Sequence, residues 1–588
     1  MKTFILSFLG AVAALVVVFV LLPLALLMSF ASSGKPEPVK SAIIELDLRN
    51  AMNDQPATGG VSALFSQSSF IQTLLKLNAA AEDPNVKGVF VRAAEADLAS
   101  SRAEELRDAF LRLKKANKFI IASSQGFLAS GPAAYRAISA ADEIWMQPGS
   151  SFEVPGITFE TLFFKDLFDK YKVTADIEQF YEYKNAADVY KQKTYTPAYA
   201  EAMTRLAESV WSHSIADIAA DRKMPAPDMR KLLEDSPYQA EQAVDLKLVD
   251  KIGWPEEAAD AAKARGKGEL VEIADYTPPA RTGKGTIAIV GGEGDIVTGP
   301  GGPTNVLSLG SPQFASDTVS AKLRALAQDS TVKAVVFRID SGGGSATASD
   351  QIWRAVDRLK ASGKKVVVSM GSLAASGGYY AATGADAIVS TRSTITGSIG
   401  VFGGKFAIAD GLRNFGVNPA SVGVGGPFAS AYSSDKFTPE QRKKLDDSLL
   451  AVYTRFTTLV SQGRHMPIDK VREIAKGRVW SGEDAKANGL VDENGDLIDA
   501  IDKAKQLAGF KPEDRVDVRL DIDQTTPFQL LTRVMSGKSA HVSAAEQTAF
   551  GALSAVFGER RAAAVLSQVD RLSHASGPQL WTAPVIEH

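Results

Sequence analysis

Cysteine is absent from this chain, and histidine occurs only five times in 588 residues, as His213, His465, His541, His574 and His588. The first absence excludes a thiol nucleophile and thiolate metal sites. It is compatible with any redox compartment, including an oxidising one that would cross-link stray thiols. None of the histidines sits in a glycine-rich or apolar context and no His-Glu-x-x-His pattern occurs, which argues against a zinc hydrolase. An excess of one charge is lacking too: the formal net charge is −3, and nothing points to a nucleic-acid partner. What remains is ordinary globular material, 45% hydrophobic, with length for about three or four domains.

One stretch has no charge at all. Residues 4–31 form an uncharged apolar run, long enough as a helix to cross a bilayer, with Pro23 as a tolerated kink. Lys2 and the amino terminus precede it, which predicts a cytoplasmic tail and an exported remainder. The alternative is a cleaved signal peptide ending at Ser29-Phe30-Ala31, but the run exceeds the usual apolar core of such peptides, roughly 7–15 residues. Residues 1–34 are therefore expected to be a membrane anchor, and residues 32–40 read as a short polar linker.

The rest of the chain is written twice. Val86-Lys87-Gly88-Val89-Phe90-Val91-Arg92 matches Val332-Lys333-Ala334-Val335-Val336-Phe337-Arg338, and Arg112-Leu113-Lys114 matches Arg358-Leu359-Lys360 at the same offset of 246. Tyr135 and Ala141-Asp142 match Tyr379 and Ala385-Asp386. Thr196-Pro197 matches Thr438-Pro439, and Leu248-Val249-Asp250 matches Leu490-Val491-Asp492. Order is kept and the offset drifts by only four residues, so two copies of one fold are expected, over 35–275 and 276–510. Residues 511–588 form an extension with amphipathic or alanine-rich helices expected at 528–534 and 544–569. In the second copy, 285–290, 334–339 and 365–369 read as strands. Residues 349–360 read as a helix with Ile352, Ala355, Val356 and Leu359 on one face. Thr438-Pro439-Glu440-Gln441 opens another, with Thr as N-cap and Gln closing a capping box. Strands separated by helices predict an α/β fold.

Chemistry concentrates at Ser376, between small residues in Ala374-Ala375-Ser376-Gly377-Gly378, just after the apolar run Val366-Val367-Val368. A strand ending in a tight glycine turn presents a side chain in the open, with the Gly377 N–H near enough to serve an oxyanion. With histidine and cysteine poorly placed or absent, the base for such a serine would be a carboxylate or a lysine, the latter made neutral by burial. Alignment of the two copies narrows the field. Ser376 falls opposite Pro132, and Gly342-Gly343-Gly344 opposite Ala96-Asp97-Leu98; Tyr183-Lys184-Asn185 faces a stretch of the second copy without lysine. Each copy lacks what the other keeps, as expected of one site assembled from both halves. Neutral drift in a structural repeat is the alternative, and Lys191 and Lys193 are the rival bases.

Three segments carry a family resemblance: 369–380, Thr-Ile-Thr-Gly-Ser-Ile-Gly-Val-Phe-Gly at 394–403, and 477–492. At these residues, and over about 41–507, the chain resembles the long, duplicated protease IV/signal peptide peptidase A type of peptidase family S49. The resemblance implies tandem Clp/crotonase-like domains of spiralling ββα units preceded by one transmembrane helix. It implies a serine endopeptidase with a Ser/Lys dyad and no cofactor or metal. By position it makes Ser376 the nucleophile, Lys184 the general base, the N–H groups of Gly343 and Gly377 the oxyanion donors, and Ser398 the residue orienting the amine. Asn185 departs from the family's usual serine, and Asp340-Ser341-Gly342-Gly343-Gly344 from its Asn-Ser-Pro-Gly-Gly; loss of that proline should make the free loop more mobile. The implied setting is the bacterial inner membrane, with the catalytic part on the periplasmic side, a homotetrameric assembly, and signal peptides left in the membrane after export as substrates. A silent membrane scaffold and a crotonase-type acyl-thioester enzyme are the alternatives; the latter would need acidic catalytic residues and a nucleotide site, and neither motif is present.

Overall fold

Runs of β-branched and aliphatic residues, separated by amphipathic helices, build three large sheets and two two-stranded ones in the computed structural model, which describes residues 41–56, 68–95, 98–128, 131–279, 282–301, 313–521, 579–581 and 586–587. The expected anchor at 4–31 and the helices expected at 528–534 and 544–569 lie outside the described residues. Among the described residues no helix is long and apolar enough to cross a membrane. The portions of 511–588 that are described contribute strands.

The first sheet has six parallel strands in the order Glu269–Glu272, Ala42–Asp47, Val86–Arg92, Phe119–Ser124, Glu143–Met146, Lys251–Ile252. The second runs Val479–Ser481, Ile395–Gly397, Lys365–Ala375, Val332–Ser341, Thr286–Glu293, Asp517–Leu520, with Ala387–Ser390 also paired to Lys365–Ala375. All its pairings are parallel except that of Val479–Ser481. Val332–Ser341 is buried along nearly its whole length, and its centre, Ala334 to Phe337, is accordingly an unbroken apolar run rather than an alternation. The helix expected at 349–360 spans Ala346–Ala361 and buries Ile352, Ala355, Val356 and Leu359. The capping boxes announce helices correctly: Thr438 Oγ1 accepts the Gln441 N–H at 3.3 Å and opens Pro439–Gly463.

The same local bonds recur in both halves. The Tyr135 hydroxyl donates to the Leu248 carbonyl at 2.5 Å, and that of Tyr379 to Leu490 at 2.8 Å. Arg222 pairs with Asp250 and Arg464 with Asp492. Lys118 donates to the carbonyls of Asp83 and Val86, and Lys364 to those of Asp329 and Val332.

The described residues from Ala42 onward nevertheless form one compact unit. A single apolar cluster holds Ile44, Leu46, Val89 and Val91 of the first sheet with Ile287, Ile289, Val336 and Val367 of the second. Each such side chain contributes about 1.5–3 kcal/mol on burial. Asp517–Leu520 completes the second sheet from beyond residue 510. The halves are also joined by charge. Arg338, Asp54 and Glu105 are all fully buried, and the guanidinium donates to both carboxylates at 2.8–3.2 Å.

The third sheet crosses between halves. Its order is Gln313–Ala315, Asp295–Val297, Gly343–Ser345, Gln579–Trp581, Val401–Ala407, Thr174–Phe180. The last pairing is antiparallel over seven residues, Val401 opposite Phe180 through Ala407 opposite Thr174.

Candidate active site

Ser376 stands where Lys365–Ala375 ends and the helix Gly377–Ala382 begins, at φ 53°, ψ −112°. Few non-glycine residues hold a positive φ, and those that do often sit at functional sites. Two bonds fix it: its N–H donates to the Gly397 carbonyl at 2.8 Å, and its carbonyl accepts from the Tyr380 N–H at 2.8 Å. The helix start has to be glycine. A Cβ at Gly377 would lie 2.5 Å from Ser349 Oγ and 3.1 Å from the Gly343 Cα. That close approach brings the Gly377 N–H, free of intrahelical partners at a helix N-terminus, beside the glycine loop.

Lys184 arrives from the other half. The Thr174–Phe180 strand, held on Val401–Ala407, delivers it four residues later, immediately before the short turn Asn185–Ala187. Its side chain is fully buried. Nζ lies 2.7 Å from Ser376 Oγ, 3.0 Å from Ser398 Oγ and 3.1 Å from the Ser398 carbonyl oxygen. Burial pushes the amine well below the usual ammonium range, with no charged neighbour to oppose it. A neutral amine has two N–H donors and one lone pair. Directing the donors to the two Ser398 oxygens leaves the lone pair for the Ser376 hydroxyl proton. Ser398, at φ 50°, is locked by its own N–H, which donates to the Arg478 carbonyl at 2.6 Å.

The glycine loop is tied down without proline. Asp340 Oδ1 accepts the Leu373 N–H at 3.0 Å, three residues before Ser376. Ser341 Oγ donates to the Gly294 carbonyl at 2.6 Å and accepts the Gly343 N–H at 3.1 Å. The Gly343 donor is thus engaged by Ser341 and must exchange that bond to serve an oxyanion. The Gly344 N would stand 3.2 Å from a Cβ on Gly377, which makes it a further candidate donor.

The structure therefore brings Ser376, Lys184, Ser398, Gly343 and Gly377 to one place. The rival lysines are elsewhere: Lys191 donates to the Ile177 carbonyl at 3.0 Å and Lys193 pairs with Asp166 at 2.5 Å. Gly477 escaped sequence reasoning. Its φ is +83°, and a Cβ there would fall 2.6 Å from the N, Cα and Cβ of Lys184. The neighbouring Lys476 carbonyl accepts the Tyr183 N–H at 3.2 Å. The signal was the glycine that opens the 477–492 segment; without coordinates nothing linked it to Lys184. Among the described residues, no cluster of three or more His, Asp or Glu side chains could hold a metal ion.

A serine hydroxyl at hydrogen-bond distance from a buried amine, beside a helix N-terminus and a glycine loop, has the layout of a serine-type peptidase. Residues 112–268 and 358–511 match the pattern of Peptidase family S49, and the chain belongs to that family. Protease 4 of Salmonella typhi is 30% identical over 95% of this chain and 92% of its own length. The chloroplastic serine protease SPPA of Arabidopsis thaliana is 28% identical over 87% of this chain and 76% of its own. Among solved structures, a ClpP1 mutant from Listeria monocytogenes matches 36% of this chain and 94% of its own, at 16% identity and a TM-score of 0.24.

Proposed function

We propose that this chain is a membrane-anchored serine endopeptidase with a Ser376/Lys184 dyad, built from two diverged repeats of a ββα-unit fold. The observation that carries the reading is the 2.7 Å contact between Lys184 Nζ and Ser376 Oγ, fully buried and with burial alone acting on the amine. The recurring tyrosine, arginine and lysine bonds of the two halves support the duplication.

In the proposed reaction Ser376 Oγ attacks a peptide carbonyl carbon as its proton passes to Lys184 Nζ. The oxyanion is met by the Gly377 N–H and a donor of the glycine loop, each contributing about 3–4 kcal/mol. Collapse breaks the C–N bond, and Lys184 gives its proton to the leaving amine. Water then attacks the acyl-enzyme, its proton passing through Lys184 back to Ser376 Oγ, which releases the acid. Ser398 orients the amine throughout. In this proposal the uncharged 4–31 run anchors the enzyme in the inner membrane, and the family resemblance of the sequence extends the reading to activity on the periplasmic face against signal peptides and other apolar peptides and to assembly as a homotetramer.

Purified enzyme should cleave a fluorogenic peptide and label with a serine-directed probe. Ser376→Ala should lower kcat by as much as about 10⁶-fold and Lys184→Met by about 10²–10⁴-fold, whereas Lys191→Ala and chelator leave it unchanged. Retained turnover in both dyad variants would refute the assignment. A wild-type chain that folds but neither cleaves nor labels would favour the silent scaffold.

A further inference from the structure

The 477–492 segment does more than supply Gly477. Arg478 stands at the entry to the strand Val479–Ser481, where contacts to both members of the dyad converge. Its carbonyl takes the Ser398 N–H at 2.6 Å, and Ser398 in turn supplies both oxygens beside Lys184 Nζ. The strand that follows it pairs with Ile395–Gly397, Val479 opposite Gly397, and the Gly397 carbonyl holds the Ser376 N–H at 2.8 Å. The side chain of Arg478 reaches into the other half. Its guanidinium lies over the Tyr183 ring, 5.0 Å from the centroid, and over that of Trp480 at 4.3 Å. Both Nη groups donate to the Glu201 carboxylate, on the helix Pro197–Asp221, at 2.6 and 2.7 Å. The Trp480 ring is itself fixed, its Nε1–H donating to the Ile474 carbonyl at 3.0 Å. Tyr183 immediately precedes Lys184, and its N–H is taken by the Lys476 carbonyl at 3.2 Å. One short run, Lys476 to Trp480, thus grips the turn that carries the lysine and the serine that faces its amine.

We propose that Arg478 is a positioning residue for the Ser376/Lys184 dyad: its guanidinium, stacked on Tyr183 and Trp480 and forked onto Glu201, sets Lys184 and Ser398 in register across the two halves. The inference rests on the peptidase reading for its effect on turnover, but not for its effect on the amine. A planar, forked cation suits this place, because it stacks on aromatic rings while pairing bidentately with a carboxylate; an ammonium does only part of that. Its charge is not the agent. Among the described residues no charged side chain acts on the Lys184 amine, which burial alone keeps neutral. Arg478 acts by keeping that burial closed. The Glu201 side chain is half exposed, so the ion pair on its own adds little to stability. The contribution of the clamp lies in placement, where a shift of ~1 Å costs about 10²-fold in rate.

In the full-length enzyme, Arg478→Ala should lower kcat for a fluorogenic peptide by about 10²-fold with KM little changed. It should also move the rising limb of the kcat/KM profile to higher pH, because water that reaches Nζ restores the amine's affinity for a proton. Arg478→Lys keeps the charge and a bond to Glu201, is less prone to unfold, and should show both effects in the same direction but to a smaller extent. An arginine that merely braced the fold would lower Tm and leave the limb in place. Either an unchanged kcat or an unshifted limb in these variants would overturn the proposal. The amine can also be followed without hydrolysis. A lysine that is neutral when folded makes the chain gain stability over Lys184→Met as the pH rises toward 10.5. That gain, read by calorimetry, should be smaller when both chains also carry Arg478→Ala. An equal gain with and without Arg478 would overturn the clamp. A smaller gain in chains none of which cleaves peptide, wild type included, would overturn the peptidase reading and leave the clamp standing.

Discussion

Lys184 shows how little of a residue's chemistry is written beside it. Ser376 was legible as a nucleophile candidate, because a strand, a small-residue turn and two glycines mark it, but the hydroxyl expected in the open is fully buried, covered by the packing that brings Lys184 onto it. Tyr183-Lys184-Asn185 has no such local mark, and the lysine emerged only from what the second half lacks and from family resemblance. Its lowered proton affinity was legible in principle but not in amount, since it depends on complete burial with no carboxylate nearby. The pH dependence follows. Activity requires the neutral amine, so kcat/KM should rise with pH through the lowered pKa and level off, as a stopped-assay pH profile would reveal. Between that pKa and 10.5 the unfolded chain binds a proton that the folded chain does not, so stability rises with pH in this window. Wild type should therefore gain Tm relative to Lys184→Met as the pH rises toward 10.5, measured by calorimetry; a pH-independent difference would contradict a neutral folded-state lysine. Gly477→Ala should push the lysine backbone and lower kcat by about 10²-fold while the purified protein remains folded.

At the level of elements, apolar runs located the strands but not their ends. The run at 365–369 continues to Ala375 through polar and small residues that carry no strand signal. Tertiary pairing supplies it: Ser341 lies opposite Ala374, Leu373 opposite Ile395, and the Asp340 carboxylate takes the Leu373 N–H. Asp340→Ala would leave that N–H without its acceptor, a cost of about 1–3 kcal/mol, and loosen the alignment of the glycine loop with Ser376. The expected result is a lower kcat with little change in KM, restored largely by Asp340→Asn, which keeps an accepting oxygen. Helix starts were the most legible elements, because the Thr-Pro and Thr-x-x-Gln patterns act through bonds within four residues.

For the whole molecule, the sequence predicts two copies of one fold that share a site, and the structure adds a shared interior. Parallel strands buried on both faces do not reveal which neighbour covers them, so Ile287, Val336 and Val367 gave no hint that they pack with the first half. Nor did Arg338 announce that it would bridge Asp54 and Glu105. Arg338→Met strands two carboxylates in the interior and should destabilise the protein by about 3–5 kcal/mol, read by urea denaturation as one cooperative loss of both halves. Separate transitions for the two halves would mean that the interface is weaker than its buried charges imply. The crossing ladder of Thr174–Phe180 on Val401–Ala407 has a consequence in time. On the proposed mechanism, the amine is synthesised 192 residues ahead of the hydroxyl it serves, and the ladder that aligns them closes later still. A chain emerging from the ribosome is thus unarmed at least until Ala407 has been made, well past the middle of the polypeptide.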